Sequence, residues 1–335
     1  MATKPTYSKD GSTTVEMNSL FTSVLDERMD GIIDQIFKKY PDLAYLLDRK
    51  DTDCLGEGGE QFLVPLEVEE NTDGGMIDEE EGLPMNDFDP LTMATYTAKT
   101  AGYNLRFSRK HQRVVRGSNM MYKLIEVKEK NTIKSMQKTI MTQLWTGSGQ
   151  GKQANSIQTM IPATATASQS TSVGGISPST YTWWRTFATN MSGLQAATML
   201  EVKMLSLYNQ IEDEVGAPTV IFTDRNTQEI YENNCRDFLT AASTVKLGDF
   251  NFELVKYKGM PIIRSSMAPA GQLRMIHSDY FKFCVDPNYW FKWTDWKEPV
   301  NVAFTKYKQL ICVWQVARTA ARAHGCIYNI STASS

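Results

Sequence analysis

Three histidines (His111, His277, His324) and five cysteines (Cys54, Cys235, Cys284, Cys312, Cys326) are the side chains of this sequence best suited to metal ligation or nucleophilic catalysis. Their spacing supports neither. The histidines stand far from one another and from any cysteine at a ligand interval, and no two cysteines form the CxxC pair of a zinc or thiol redox motif. HExxH, GxSxG, a GxGxxG turn after a strand and a calcium-binding loop are also missing. Gly147, Gly149, Gly151 and Lys152 imitate a phosphate-binding loop, but the interval is one residue short, Gln153 replaces the magnesium-holding Ser or Thr, and a helical segment precedes it. Asp224-Arg225, after an apolar stretch at 219–223, is the one position resembling a functional strand terminus; a helix cap and a surface ion pair are its ordinary explanation. Residues 78–81 are acidic enough to attract calcium but lack the interleaved oxygens of a calcium loop. No catalytic, cofactor-binding or metal-binding residue is assigned, no cofactor is implied, and the expectation is a protein that is not an enzyme.

The charge distribution is more informative than any motif. Between Asp51 and Ala98 there is no Lys or Arg, while 14 of the 38 acidic residues fall there, so the other 24 stand against all 35 basic residues. One arm is acidic and the body is basic, behind a net charge of only −3. A solvated loop accounts for such a run, and so does an acidic arm that lies on the basic body of another subunit. On the second reading the inter-subunit contacts are Glu69, Glu70, Asp78, Glu79, Glu80 and Glu81 on the arm, against Arg106, Arg109, Lys110, Arg113 and Arg116 on the body. An exposed ion pair contributes about 0 to 1 kcal/mol, so a network is required. A nucleic-acid groove at the basic cluster is weakly supported, because only Phe107 interleaves with it.

These charges need elements to hold them. Residues 1–20 are polar and aperiodic, and Leu25, Met29, Ile32, Ile33, Ile36 and Phe37 mark a short amphipathic helix ending before Pro41, followed by an apolar anchor at Tyr45, Leu46 and Leu47. Three glycines in residues 56–59 form a hinge; residues 61–69 then alternate with Phe62, Val64, Leu66 and Val68 on one face, and residues 93–107 return as a second extended segment. Such a hairpin is marginal alone, so something must cover it. Residues 116–147 are the longest helical stretch, with Met121, Leu124, Ile125, Ile133, Met136, Ile140 and Leu144 along one face, Ser118 as a possible cap and Gly147 suited to a left-handed close. The polar middle, residues 128–132, predicts sparse cover there. After a Gly/Ser/Thr-rich loop at 146–175, a helix through Leu200, Met204, Leu207, Tyr208 and Ile211 and a strand at 219–223 begin a mixed unit, in which Asn226 and Glu229 suggest a capping box. Strands at 250–257 and 260–263 pair across Lys258-Gly259; Trp290, Trp293 and Trp296 are core or interface anchors, and residues 310–316 form a buried central strand. No run of eighteen apolar residues occurs, and the first ten residues lack the apolar block of a secretory signal. The singly scattered cysteines fit a reducing compartment.

This order of parts resembles the major capsid proteins of tailed bacteriophages, whose fold is shared with encapsulins and the floor of herpesvirus shells. Gly174-Gly175-Ile176-Ser177 with Trp183-Trp184-Arg185, and Pro218-Thr219-Val220-Ile221 followed later by Lys258-Gly259-Met260-Pro261-Ile262, are similar to stretches those proteins carry. The resemblance implies an α+β, tailed-phage major capsid fold: an N-terminal arm and short helix (1–55), an E-loop hairpin (56–105), a P-domain spine helix with its following loop (106–178), an inserted A-domain (179–288), and a P-domain closing sheet and tail (289–335). It further implies assembly into hexamers and pentamers of an icosahedral shell around double-stranded DNA, in the host bacterial cytoplasm. The implied partners are other copies of the chain, a scaffolding protein, a portal protein, a decoration or cement protein, and DNA contacted non-specifically, with no membrane. An encapsulin-type shell holding a protein cargo, or a soluble enzyme with an unrecognised site, are the alternatives.

Overall fold

The computed structural model describes residues 40–52, 54, 59–68, 90–108, 118–234, 255–299 and 305–331. Pro41 opens helix α1 (Pro41–Asp48), where a residue without an N–H costs nothing because the first turn has no acceptor for it. The apolar anchor Tyr45, Leu46 and Leu47 is the buried face of this helix. The helix expected over residues 25–37 lies outside the described residues.

The longest described element is α2 (Ser118–Thr146). Ile125, Ile133, Met136, Ile140 and Leu144 are all buried, as the spacing requires; the side chains of Ser118, Met121 and Leu124 lie outside the described residues. Two expectations about α2 need correcting, one in part and one outright. Its polar middle is open at Lys130 and Asn131, as expected, but not throughout: Glu129 is buried there and ion-paired with Lys308. Gly147 does not close the helix in the left-handed region; it is glycine because a Cβ would stand 2.1 Å from the Ala154 carbonyl oxygen and 2.6 Å from that of Gln143. The remaining helices are α3 (Ile157–Met160), α4 (Ala196–Glu214) and α5 (Arg225–Asn234).

The described strands are β1 (Lys50–Asp51), β2 (Gln61–Glu67), β3 (Leu91–Thr97), β4 (Lys99–Ser108), β5 (Phe187–Asn190), β6 (Val220–Thr223), β7 (Lys256–Tyr257), β8 (Met260–Arg264), β9 (Leu273–Ile276), β10 (Phe281–Val285), β11 (Lys292–Trp293), β12 (Thr305–Arg318) and β13 (His324–Tyr328). They form three sheets. The first has the order β1-β10-β12-β11 with β4 also on β12, the second the order β5-β13-β9-β6-β8-β7, and the third is the β2-β3 hairpin. β12 is the central strand expected at 310–316: β4 runs antiparallel along its residues 305–314, while β11 and β10 succeed one another on its opposite edge. The extended segment expected over 93–107 resolves into two strands. β3 follows β2 as far as the Gln61–Thr97 pair, and past Ala98 the chain finds its next partner on β12 instead. Lys258-Gly259, both at positive φ, turn β7 antiparallel onto β8.

Two apolar clusters result. The larger joins α1, the buried face of α2, the inner face of the hairpin and the first sheet; the smaller packs Leu200, Met204, Leu207 and Ile211 of α4 on Ile221, Met275 and Ile327 of the second sheet. The strand β10 belongs to the first sheet and β13 to the second, so the chain passes between the sheets late in its course.

Candidate inter-subunit surface

Alternation along the hairpin decides what each side chain meets. Phe62, Leu66, Ala94 and Tyr96 turn inward and are buried, with the rings of Phe62 and Tyr96 stacked at 5.5 Å. The Tyr96 hydroxyl donates to the Arg318 carbonyl at 2.8 Å, and the backbone of Gly174 crosses β3 closely enough to accept from the Thr95 amide at 2.9 Å. Positive φ at Gly174, and Ala94 and Tyr96 within 3.1 Å of where a Cβ would stand, leave that crossing to glycine. The hairpin root is therefore fixed on the core.

The other face of the same two strands also carries apolar side chains, and they are exposed. Leu63, Leu91 and Met93 are 58%, 63% and 57% exposed, and Met93 pairs across the ladder with the exposed Pro65. Both faces of one short two-stranded sheet are hydrophobic, which a free antiparallel hairpin does not sustain in water. A second apolar stripe, Met199, Val202 and Leu205, lies on the outward side of α4.

Of the charged contacts read from sequence, Arg106 is on β4, exposed, with Nη2 3.5 Å from the Thr305 hydroxyl. Glu69, Glu70, Asp78, Glu79, Glu80, Glu81, Arg109, Lys110, Arg113 and Arg116 lie outside the described residues.

The charges that organise the described residues are internal ones that the sequence did not single out. Arg318, with almost no exposure, sends one guanidinium nitrogen to the Met160 carbonyl and another to the Trp184 carbonyl at 2.9 Å, above the Trp184 ring; burial holds its pKa down at about 10. Arg274 donates to the Ile161 carbonyl at 3.1 Å and to Gln272. Asp42 accepts from the Trp145 indole at 3.0 Å, and burial raises its carboxyl pKa. These groups join α1, α2, the loop over residues 157–184 and the two larger sheets.

Asp224 and Arg225 take the cap and ion-pair roles that were their ordinary explanation. Asp224 caps α5, accepting from the Asn226 amide at 3.2 Å and the Thr227 hydroxyl at 2.5 Å, so the cap is Asp224 and not the Asn226 box expected. Arg225 pairs with Glu229 at 2.7 Å in solvent. Asp224 and Arg225 line a cleft of about 880 Å³ that also includes Tyr40, Asp42 and Arg264. The glycine loop after α2 folds on itself, with the Gln153 side chain accepting from the Ser148 amide and hydroxyl and the Gly151 carbonyl accepting from Lys99 at 2.7 Å. Its glycines serve a turn. Among the described residues no group of His, Cys, Asp and Glu is arranged to hold a metal, and no helix is long and apolar enough to cross a membrane.

No protein-family model matches the chain, and no curated protein matches it. Solved structures match it in fold. The cyanophage A-1(L) capsid asymmetric unit superposes with a TM-score of 0.61 at 15% identity, covering 87% of this chain and 92% of that one. The capsid of the native GTA particle gives 0.56 at 11% identity over 86% and 90%. The holo-SrpI encapsulin complex from Synechococcus elongatus PCC 7942 gives 0.54 at 9% identity over 87% and 89%. At these identities the shared property is the fold: this chain has the mixed helix-and-sheet fold of phage major capsid proteins, which the encapsulin shares.

Proposed function

We propose that this chain is the major capsid protein of a tailed phage, whose copies assemble into hexamers and pentamers of an icosahedral shell around double-stranded DNA. The observation that carries this reading is the capsid fold, matched over 87% of this chain and 92% of the cyanophage capsid chain. The uncovered apolar face of the hairpin supports it, because a shell subunit needs a surface that only a neighbour completes. In this assignment residues 1–55 are the N-terminal arm, 56–105 the E-loop, 106–178 the spine and its loop, 179–288 the A-domain and 289–335 the closing P-domain segment. Contacts between subunits are head-to-tail and close by rotation. The acidic residues 69–81 of one copy meet the basic residues 106–116 of the next. Assembly takes place in the host bacterial cytoplasm with a scaffolding protein and a portal protein; a decoration or cement protein binds the finished shell, and its inner surface meets DNA without sequence preference.

Electron microscopy of the purified chain, expressed alone and with a candidate scaffolding protein, tests this. Closed shells are expected. A monodisperse monomer at high concentration under every condition overturns the reading. The likeness to the SrpI encapsulin gives a second reading, a shell around a protein cargo, and shells that co-purify with one protein and no nucleic acid select it.

A further inference from the structure

Arg274 and Arg318 are both almost without solvent exposure, and the two guanidinium groups are satisfied differently. Arg274 donates through Nε to the Ile161 carbonyl at 3.1 Å and through Nη2 to the Gln272 side chain at 2.6 Å. Arg318, the last residue of β12, commits Nη1 to the Met160 carbonyl and Nη2 to the Trp184 carbonyl at 2.9 Å. Its buried Nε donates to no protein group. Among the described residues no carboxylate pairs with it. Burial lowers its pKa only to about 10, so at neutral pH a full positive charge is held there by neutral acceptors. A buried charge without a counter-charge is costly.

Arg318 also lines a cavity of about 60 Å³. Thr164, Ser168, Ser170 and Thr171 line it too; all four are exposed and form its mouth, and no Asp or Glu borders it. The wall is held in place from behind. Buried Gln169 donates to the Thr186 carbonyl and accepts from the Thr186 amide, both at 2.9 Å, and the Trp184 indole donates to the Val173 carbonyl at 2.9 Å. The cavity therefore has its shape before any ligand arrives.

We infer that this cavity binds one small inorganic anion, of the size of chloride or phosphate, with the Arg318 guanidinium at its floor and the loop hydroxyls at its mouth. A spare N–H on a fixed cation and a ring of hydroxyls offer donors to an ion that only accepts, and no carboxylate repels it. A water needs about 10–15 Å³ of such space, so there is room for one ion with little accompanying water. The anion supplies the counter-charge that the chain does not, and ties the loop over residues 164–178 to the end of β12. This holds whether or not the chain builds a shell.

The test is thermal melting of the full-length chain in sodium gluconate, with chloride or phosphate replacing gluconate at constant ionic strength and pH. A rise in melting temperature that saturates with the small anion is expected, because a ligand of the folded state alone stabilises it by mass action. Thr171→Glu, and separately Ser170→Glu, put a carboxylate at the mouth in place of the anion. Each is expected to keep the parent's circular dichroism and to lose the anion-dependent rise. Arg318→Gln is expected to lose it as well. The proposal is overturned if the parent melts alike in all three salts, if its rise does not saturate, or if the two mouth variants respond as the parent does. Should Arg318→Gln not fold, the parent titration and the mouth variants decide.

Discussion

The ammonium of Lys308 on β12 lies 2.5 Å from a carboxylate oxygen of Glu129 on α2, and both side chains are almost without solvent. The Trp293 and Trp296 rings face the same ammonium at 4.3 and 5.2 Å. Burial lowers the Lys308 pKa, and the carboxylate opposes that shift. Removing one partner strands the other charge, which costs about 3–5 kcal/mol, whereas apolar replacement of both is often neutral. Glu129→Ala is therefore expected to lose about that much in guanidinium unfolding of the unassembled subunit, and Glu129→Leu with Lys308→Met to recover most of it. A double variant no more stable than Glu129→Ala would show that the pair does not act as a unit.

That pair also marks the limit of what the sequence discloses. The long helix was legible because one face repeats at helical spacing, and β12 because residues 310–316 are nearly all apolar. Glu129 stands in a polar run and looks solvated; its partner is 179 positions away, and no local pattern connects them. Arg318 and Arg274 are hidden in the same way, since carbonyls of distant loops hold them. The outer face of the hairpin was recoverable: Leu63 and Pro65 interleave with Phe62, Val64 and Leu66, so β2 is apolar on both sides, a pattern for a strand covered twice. The charged arm and most of its basic counterpart remain a reading of composition.

Gly147 reverses the usual effect of replacing glycine. Gly→Ala at a conformation alanine can adopt normally stabilises by about 0.4–1 kcal/mol. Here the new methyl would meet the Ala154 and Gln143 carbonyl oxygens at 2.1 and 2.6 Å, and both are backbone. Gly147→Ala is expected to destabilise by about 1–3 kcal/mol, as overpacking does, and thermal unfolding of the subunit checks it. A stability at or above that of the parent would mean the α2–α3 connection yields freely.

Leu63→Lys combined with Met93→Lys charges the outer face of the hairpin and leaves its buried face intact. Exposed substitutions shift subunit stability by about 0.5 kcal/mol or less, so circular dichroism and melting of the unassembled chain should stay near parental values. Particle yield should collapse. Shells at parental yield would remove the hairpin face from the interface.

The charge reading has its own test. Replacing Glu79, Glu80 and Glu81 with Lys is expected to leave a folded subunit that does not form capsomers, and adding Arg109→Glu, Lys110→Glu and Arg113→Glu to restore them in part. Loss of assembly in the first variant without any rescue in the second would separate the acidic arm from this basic cluster.

His324 should make stability depend on pH in a defined direction. Its ring is fully buried, Nδ1 accepts from the His277 amide at 3.3 Å, and Nε2 faces the Tyr280 carbonyl at 3.4 Å. Burial, then the nearby Arg318 charge, pushes its pKa down to about 3 from the ordinary 6.5. The unfolded chain takes up a proton as pH falls through about 6.5, and the folded chain refuses it until about 3. This contribution is thus complete above about pH 6.5 and is lost progressively between there and pH 3, at up to about 1.4 kcal/mol per unit. Asp42, raised by burial, acts with the opposite sign in acid, so the comparison must be with a variant and not with an absolute curve. His324→Gln keeps an acceptor and a donor but does not titrate. Its urea midpoint should fall less steeply than the parent's from pH 7 to pH 5, and equal slopes would show that His324 gains its proton without unfolding the site.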